Sequence, residues 1–188
     1  MHKLERILWV IVGIGAVLKV FHVPLNGLLL ILSLSTLSML YFFASWALFP
    51  QPARKDQVVL LSVLAGAAFS IAITGILFKI QLWPFSGFYL LAGMVALLGI
   101  FVALVVLGTR RPDLAAYRSG MLRRVLPLLL ACALFNALPS GTLTAFYYRD
   151  DPEMAPLMVR YTTTNDPSER AYLQLRMDSI QQQRDQLR

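Results

Sequence analysis

Two lysines stand where a charge is least expected. Lys19 and Lys79 each lie in a long apolar run, five residues ahead of a proline, Pro24 and Pro84. An ammonium inside such a run is costly unless it reaches water or meets a partner. At about 1.5 Å per helical residue, each lysine lies roughly 7–8 Å along the helix from its proline. A four-carbon stem can lift the ammonium from there to the headgroups. The lysines are therefore either interfacial anchors or charges turned into a bundle, paired or lining an ion path. The five apolar runs hold no Asp or Glu, so an internal pair needs a carboxylate from the tail, another subunit or a lipid phosphate. A second constellation interrupts the last apolar run: Asn136 followed by Pro139, Ser140 and Gly141. A break of that kind frees backbone carbonyls, which line ion sites in broken transporter helices. The plainer alternative is a kink relieved by Asn136 and Ser140.

Enzyme chemistry finds little footing. The two histidines, His2 and His22, are expected on opposite sides of the membrane, which leaves no histidine metal site or proton relay within one chain. No nucleophile–base pair, glycine-rich phosphate loop or H-E-x-x-H spacing occurs. Cys132 is the single cysteine and permits no internal disulfide; a small buried apolar residue is its expected role. No catalytic activity, cofactor or metal is expected.

The elements that position these residues follow from composition. Of 188 residues, 57% are hydrophobic and 14% charged. Globular chains carry about 45–50% apolar and about 25% charged residues, so a soluble core does not account for the excess. The apolar residues fall in five non-alternating runs of about 17–25, the length that spans a hydrocarbon core of about 30 Å as helix. Lipid-exposed strands would alternate and close into a barrel. An all-α integral membrane protein with about five crossings is expected. Residues 1–49 form one hairpin and 58–107 a second. Residues 109–124 form a basic cytoplasmic linker, 125–148 a fifth helix and 149–188 an external helical tail. The first run has no small-residue cleavage site after it and is expected to be retained.

Basic residues orient the chain. Lys3 and Arg6, then Arg54 and Lys55, then the five arginines of the 109–124 linker share one side if the helices alternate. Lys/Arg-rich short loops stay cytoplasmic. The N-terminus is thus expected in the cytoplasm and the C-terminus in the periplasm of a bacterial inner membrane. The tail, with six arginines against seven acids, has no basic excess. Trp9 and Trp46 then fall near the inner interface, and Trp83, Tyr147 and Tyr148 near the outer one. The net charge of +7 is mainly this topology signal; the partner it implies is the lipid bilayer, not nucleic acid.

A repeat runs through the first two hairpins at an offset of 60. Gly15, Lys19, Pro24 and Gly27 align without gaps on Gly75, Lys79, Pro84 and Gly87, giving G-x3-K-x4-P-x2-G twice. Proline ends each crossing, because it lacks an N–H and disfavours helix in the preceding residue. The glycine three residues later is expected to permit the turn and close helix approach.

The second copy, Leu77-Phe78-Lys79-Ile80-Gln81-Leu82-Trp83-Pro84 between Gly75 and Gly87, resembles the hairpin signature of the gliding-motility L protein family (GldL-like) of Bacteroidota. The resemblance covers about residues 7–107. It implies an inner-membrane hairpin belonging to the gliding and type IX secretion motor, which in that family is a proton-driven stator with a periplasmic partner. This chain has two hairpins rather than one, an expected external tail, and no carboxylate in its apolar runs to match the family's intramembrane glutamate. The hairpin and its lysine–proline turn carry over; proton-driven torque does not.

Small residues mark packing faces. Ser62, Gly66, Ser70 and Thr74 recur every fourth position in the third run, and Ala92, Ala96 and Gly99 form a similar stripe in the fourth. Such stripes let helices approach closely in lipid. In the tail, Asp151-Pro152 and Asp166-Pro167 are expected helix starts, with the acid as N-cap and proline first in the helix. Leu173, Met177, Ile180 and Leu187 then form a narrow apolar stripe suited to a partner, a second copy or a membrane surface. The expected function is a non-enzymatic inner-membrane component of a larger assembly, a homo-oligomer or bound to another membrane or periplasmic protein through residues 165–188. The alternative is a small transporter or channel subunit using Lys19, Lys79 and the broken fifth helix.

Overall fold

The computed structural model describes residues 2–21, 26–48, 56–111 and 114–186. Pro24, His22, Leu187 and most of the linker around Arg54 and Lys55 lie outside them. The described residues are predominantly helical, in eight helices: α1 (His2–Val20), α2 (Asn26–Leu48), α3 (Asp56–Ile80), α4 (Ser86–Arg110), α5 (Ala115–Ala137), α6 (Ser140–Tyr147), α7 (Met154–Thr163) and α8 (Pro167–Gln186). They fall into two units, residues 1–137 and 138–188.

In the first unit α3 is central. It packs on α2, α4 and α5, while α1 packs on α2 and α5 on α4. Four helices, α2 to α5, are long and apolar enough to cross a membrane. The chain is therefore read as a multi-pass membrane protein. Large apolar side chains such as Val10, Leu32, Phe43, Leu60, Val95 and Leu130 are exposed around it, a surface that water would disfavour and lipid accepts. α1 is not among the four: its 19 residues carry Lys3, Glu5, Arg6 and Lys19.

Two expected boundaries shift. Residues 109–124 are not an open linker. α4 continues to Arg110, and α5 begins at Ala115, so Arg118, Arg123 and Arg124 sit inside a helix. The stretch from Ala115 to Arg124 is made of helix-compatible residues with only one glycine, and arginine is a good helix former. Nor does a helix run from 125 to 148. α5 ends at Ala137, because Pro139 disfavours helix at Leu138. Pro139 is extended (φ −60°, ψ 139°), and its carbonyl accepts the Thr142 N–H of the new helix α6 at 3.1 Å.

Small residues set the helix spacing, though not all those expected. A Cβ on Gly66 would run into Ser45 and the Tyr41 carbonyl, so α3 and α2 nearly touch there. Ser70 and Thr74 share a hydroxyl cluster with Ser38 of α2, at 2.7 and 3.2 Å. Ser62 instead meets the Tyr117 hydroxyl of α5 at 2.9 Å. On α4 the packed face is a different one. Leu90, Gly93, Leu97, Ile100 and Leu104 are buried, and a Cβ on Gly93 would stand 2.6 Å from Ala72 Cα. Ala92 and Ala96 are half-buried, and Gly99 is exposed with open space beside it. Both stripes mix three- and four-residue spacing, but burial turns α4 by one position, since its leucines must face α3. Gly15 and Gly75 behave alike. The Gly15 Cβ position meets the side chains of Leu29 and Leu30 of α2 (2.9 and 3.1 Å), and that of Gly75 meets the backbone of Tyr89 and Leu90 of α4 (2.8 and 2.7 Å), pairs that are again 60 apart.

The second unit is a compact helical tail. Gly141 of α6 lies against Thr163 of α7, and the Thr144 and Thr162 hydroxyls meet at 3.2 Å. Asp166 caps α8 as expected, its carboxylate accepting the Ser168 N–H at 2.9 Å, with Pro167 first in the helix. The other expected start is displaced: Asp151 accepts the Met154 N–H at 3.1 Å, and α7 opens at Met154 rather than Pro152. Leu173 and Met177 are buried and Ile180 is half-buried. They are thus not a free partner-contact stripe, because α8 folds back on α7 and covers it. The exposed apolar residues of α8 are Tyr172 and Leu175.

Candidate functional site: two polar clasps and the cleft between them

The first clasp joins the two hairpins. α3 ends by turning back on itself: Trp83 N–H bonds the Phe78 carbonyl at 2.8 Å and Leu82 N–H the Lys79 carbonyl at 3.2 Å. That pair of bonds is the Schellman ending, which requires a left-handed residue at its C′ position. Leu82 supplies it with φ 58°, and Phe85 repeats the conformation with φ 63° ahead of α4. The left-handed residues are thus Leu82 and Phe85, not Gly87. Gly87 lies in the first turn of α4 with no atom near its Cβ position, so it is not a point of close approach. Pro84 stands between the two left-handed residues, and Phe78 holds the turn edge-on to Trp83 and Tyr89 at 5.2 and 5.1 Å.

The terminal carbonyls of α3 carry partial negative charge. Lys19 answers it from the first hairpin: its Nζ donates to the Ile80 carbonyl at 3.0 Å and to Gln81 Oε1 at 2.9 Å. Gln81 Nε2 in turn donates to the Gly27 carbonyl at 3.0 Å, and Asn26 Nδ2 to the Leu18 carbonyl at 3.3 Å. Lys19 thus caps a neighbouring helix. Lys79, the matching residue of the second hairpin, is buried.

The second clasp was not foreseen from sequence. Glu5 is buried. Its Oε1 accepts the Tyr41 hydroxyl at 2.6 Å and Arg124 Nε at 2.7 Å, and its Oε2 accepts an Arg124 terminal nitrogen at 2.8 Å. The other terminal nitrogen of Arg124 donates to the Gly120 carbonyl at 3.1 Å, and Trp9 Nε1 reaches the Tyr41 oxygen at 3.5 Å. Three helices are joined here: α1 by Glu5, α2 by Tyr41 and α5 by Arg124. Geometry of this kind, with two parallel N–H···O bonds, is the strong form of the arginine–carboxylate pair. A usable signal existed. Only Glu5, Asp56 and Asp113 are acidic before the tail, against eleven lysines and arginines. The place of Glu5 just ahead of the first apolar run conceals it, because charges are common at that position.

Between the clasps, α1 and α5 stand apart and leave a cleft of about 710 Å³. Its floor is apolar, with Leu34, Phe69, Ile73 and Ile76 among the lining residues, and Glu5, Arg6, Arg123 and Arg124 all lie at one end. The break at Asn136, Pro139, Ser140 and Gly141 takes no part in it. Asn136 is exposed and the second unit begins at Leu138, so the break marks the boundary between the units. No cluster of His, Cys, Asp or Glu able to hold a metal occurs among the described residues. Compared with protein-family models, with curated proteins and with solved structures, the chain matches none.

Proposed function

We propose that the chain is a non-enzymatic, multi-pass scaffold in a bacterial inner membrane, a component of a larger assembly. The observation that carries this is the Lys19 clasp, which fixes the first hairpin to the end of α3. An ammonium held by a carbonyl and an amide belongs to architecture rather than transport. Adding α1 to the four apolar helices gives five crossings, with the N-terminus cytoplasmic and the C-terminal unit periplasmic, as the distribution of basic residues favours. The likeness of its lysine–proline hairpins to the gliding-motility L family suggests the assembly: gliding or type IX secretion machinery. The parallel placing of Gly15 on Leu30 and Gly75 on Leu90 supports two hairpins of one kind. Partner contact falls to the C-terminal unit, through the exposed Tyr172 and Leu175 of α8, and Gly99 offers a second copy an open small-residue surface.

Gentle extraction from the native membrane, followed by identification of co-purifying proteins, tests the assembly role. Loss of a specific partner in Tyr172→Ser/Leu175→Ser is expected; an unchanged set refutes the tail as the contact. Reporter fusions after Arg188 and between α4 and α5 test topology: the first is expected external and the second cytoplasmic. Ion flux in liposomes that Lys19→Ala or Lys79→Ala abolishes would favour a transporter instead.

A further inference from the structure

The cleft between α1 and α5 has the shape and charge of a site for one membrane amphiphile. From Arg6 to Ala16 on α1 is ten residues, and from Gly120 to Phe135 on α5 is fifteen. At 1.5 Å per residue these are roughly 15 and 22 Å, about one to one and a half leaflets of a hydrocarbon core of about 30 Å. Its volume of about 710 Å³ lies within the range of small-molecule sites, about 300–1,000 Å³.

Charge is confined to one end. Three arginines and one glutamate sum to +2 there, and Glu5 is already engaged by Arg124. Arg6 and Arg123 form no ion pair with any described residue. At the far end Lys19 is turned to Ile80 and Gln81 and does not line the cleft. We propose that this cleft binds an anionic phospholipid, one acyl chain lying along Phe69, Ile73 and Ile76 and the phosphate between Arg6 and Arg123. Charge complementarity selects this occupant: a wholly apolar helix would leave both arginines unanswered, and a soluble anion would leave the apolar floor uncovered. The proposal rests on the multi-pass membrane placement but not on the assembly role, so its outcome is independent of which proteins co-purify.

Trp9 lines the cleft and serves as the probe. With Trp46 and Trp83 replaced by phenylalanine, Trp9 is the sole tryptophan of the chain. The full chain is placed in phosphatidylcholine bilayers containing a minor fraction of phosphatidylglycerol, with one lipid or the other brominated on its chains. Phosphatidylglycerol is expected to quench Trp9 with a preference of about tenfold to thirtyfold over its mole fraction, the weight of two arginines near an anionic headgroup. Arg6→Gln/Arg123→Gln should bring that ratio near one without unfolding the protein, since both side chains are exposed. Ala131→Phe, which fills the cleft, should do the same. Equal quenching by the two lipids in the parent chain overturns the proposal, as does a preference that survives Arg6→Gln/Arg123→Gln. Absence of quenching by either lipid also overturns it, because a second copy or another protein then occupies the cleft. Mass spectrometry of lipid retained by the unaltered chain repeats the test without the tryptophan replacements: one phosphatidylglycerol per chain is expected, and no enrichment over phosphatidylcholine refutes it.

Discussion

Replacing Arg124 by methionine removes two charge-assisted bonds from a carboxylate that has little access to solvent. The Glu5 side chain is 8% exposed and that of Arg124 22%. Breaking a buried ion pair from one side costs about 3–5 kcal/mol, mostly the penalty of a carboxylate left without its counter-charge. Arg124 is the more exposed of the two, and water admitted beside it lessens the penalty, so the lower end, about 3 kcal/mol, is expected. The Tyr41 hydroxyl donates to the same oxygen; Tyr41→Phe should cost about 1.5–3 kcal/mol, as a hydrogen bond to a charged group does. Glu5→Met/Arg124→Met removes both charges together and should cost much less than the two single changes summed. Equilibrium unfolding of the parent, Glu5→Met, Arg124→Met and the double variant in one detergent supplies the cycle. A single Arg124→Met cost below about 0.5 kcal/mol, or strict additivity in the double variant, would show that the pair is a surface contact and that α1 is held by packing alone.

Lys19→Met should lower stability by about 1–3 kcal/mol, since the α3 carbonyl loses its cap and Gln81 an ammonium; thermal unfolding of the extracted protein reads it. Gly66→Ala should cost about 1–3 kcal/mol by forcing α2 from α3, whereas Gly99→Ala, facing open space, should be neutral or gain up to about 1 kcal/mol; unfolding of both in one detergent checks the contrast. In the tail, Asp151 is held down to about 2 by the Arg184 guanidinium that bridges it. Its folded value lies below the ordinary 3.9 or so, so the bridge stabilises α8 fully above about pH 4 and loses that contribution as pH falls toward 2. Carboxyl NMR of the full chain should show that midpoint, and Arg184→Ala should move it up toward 3.9; an unmoved midpoint refutes the bridge.

The helical membrane class was legible because apolar run length is a one-dimensional property, and α2, α3 and α4 begin and end close to where composition changes. Local chemistry was legible too: Asp166 needs only Ser168 and Pro167 to mark a helix start. What sequence did not show depends on distance in three dimensions. Glu5 and Arg124 are 119 positions apart, and no periodicity links them. The phase of the α4 stripe was missed because Ala92, Ala96 and Gly99 match the spacing rule as well as Gly93 does, and only the position of Ala72 decides between them. The apolar stripe of α8 is legible as a stripe, but spacing along one helix does not show that α7 of the same chain packs against it.

The Glu5–Arg124 bond also has a consequence for biogenesis. Chains are synthesised at roughly 5–20 residues per second, so about 6–24 s separate the first of these residues from the second at the ribosome. Through that interval α1 carries an acid with no guanidinium to meet it, and its other polar end waits for Ile80 and Gln81. The Glu5 end of α1 is therefore secured only after α5 is made, and insertion errors should accumulate in chains truncated before residue 124.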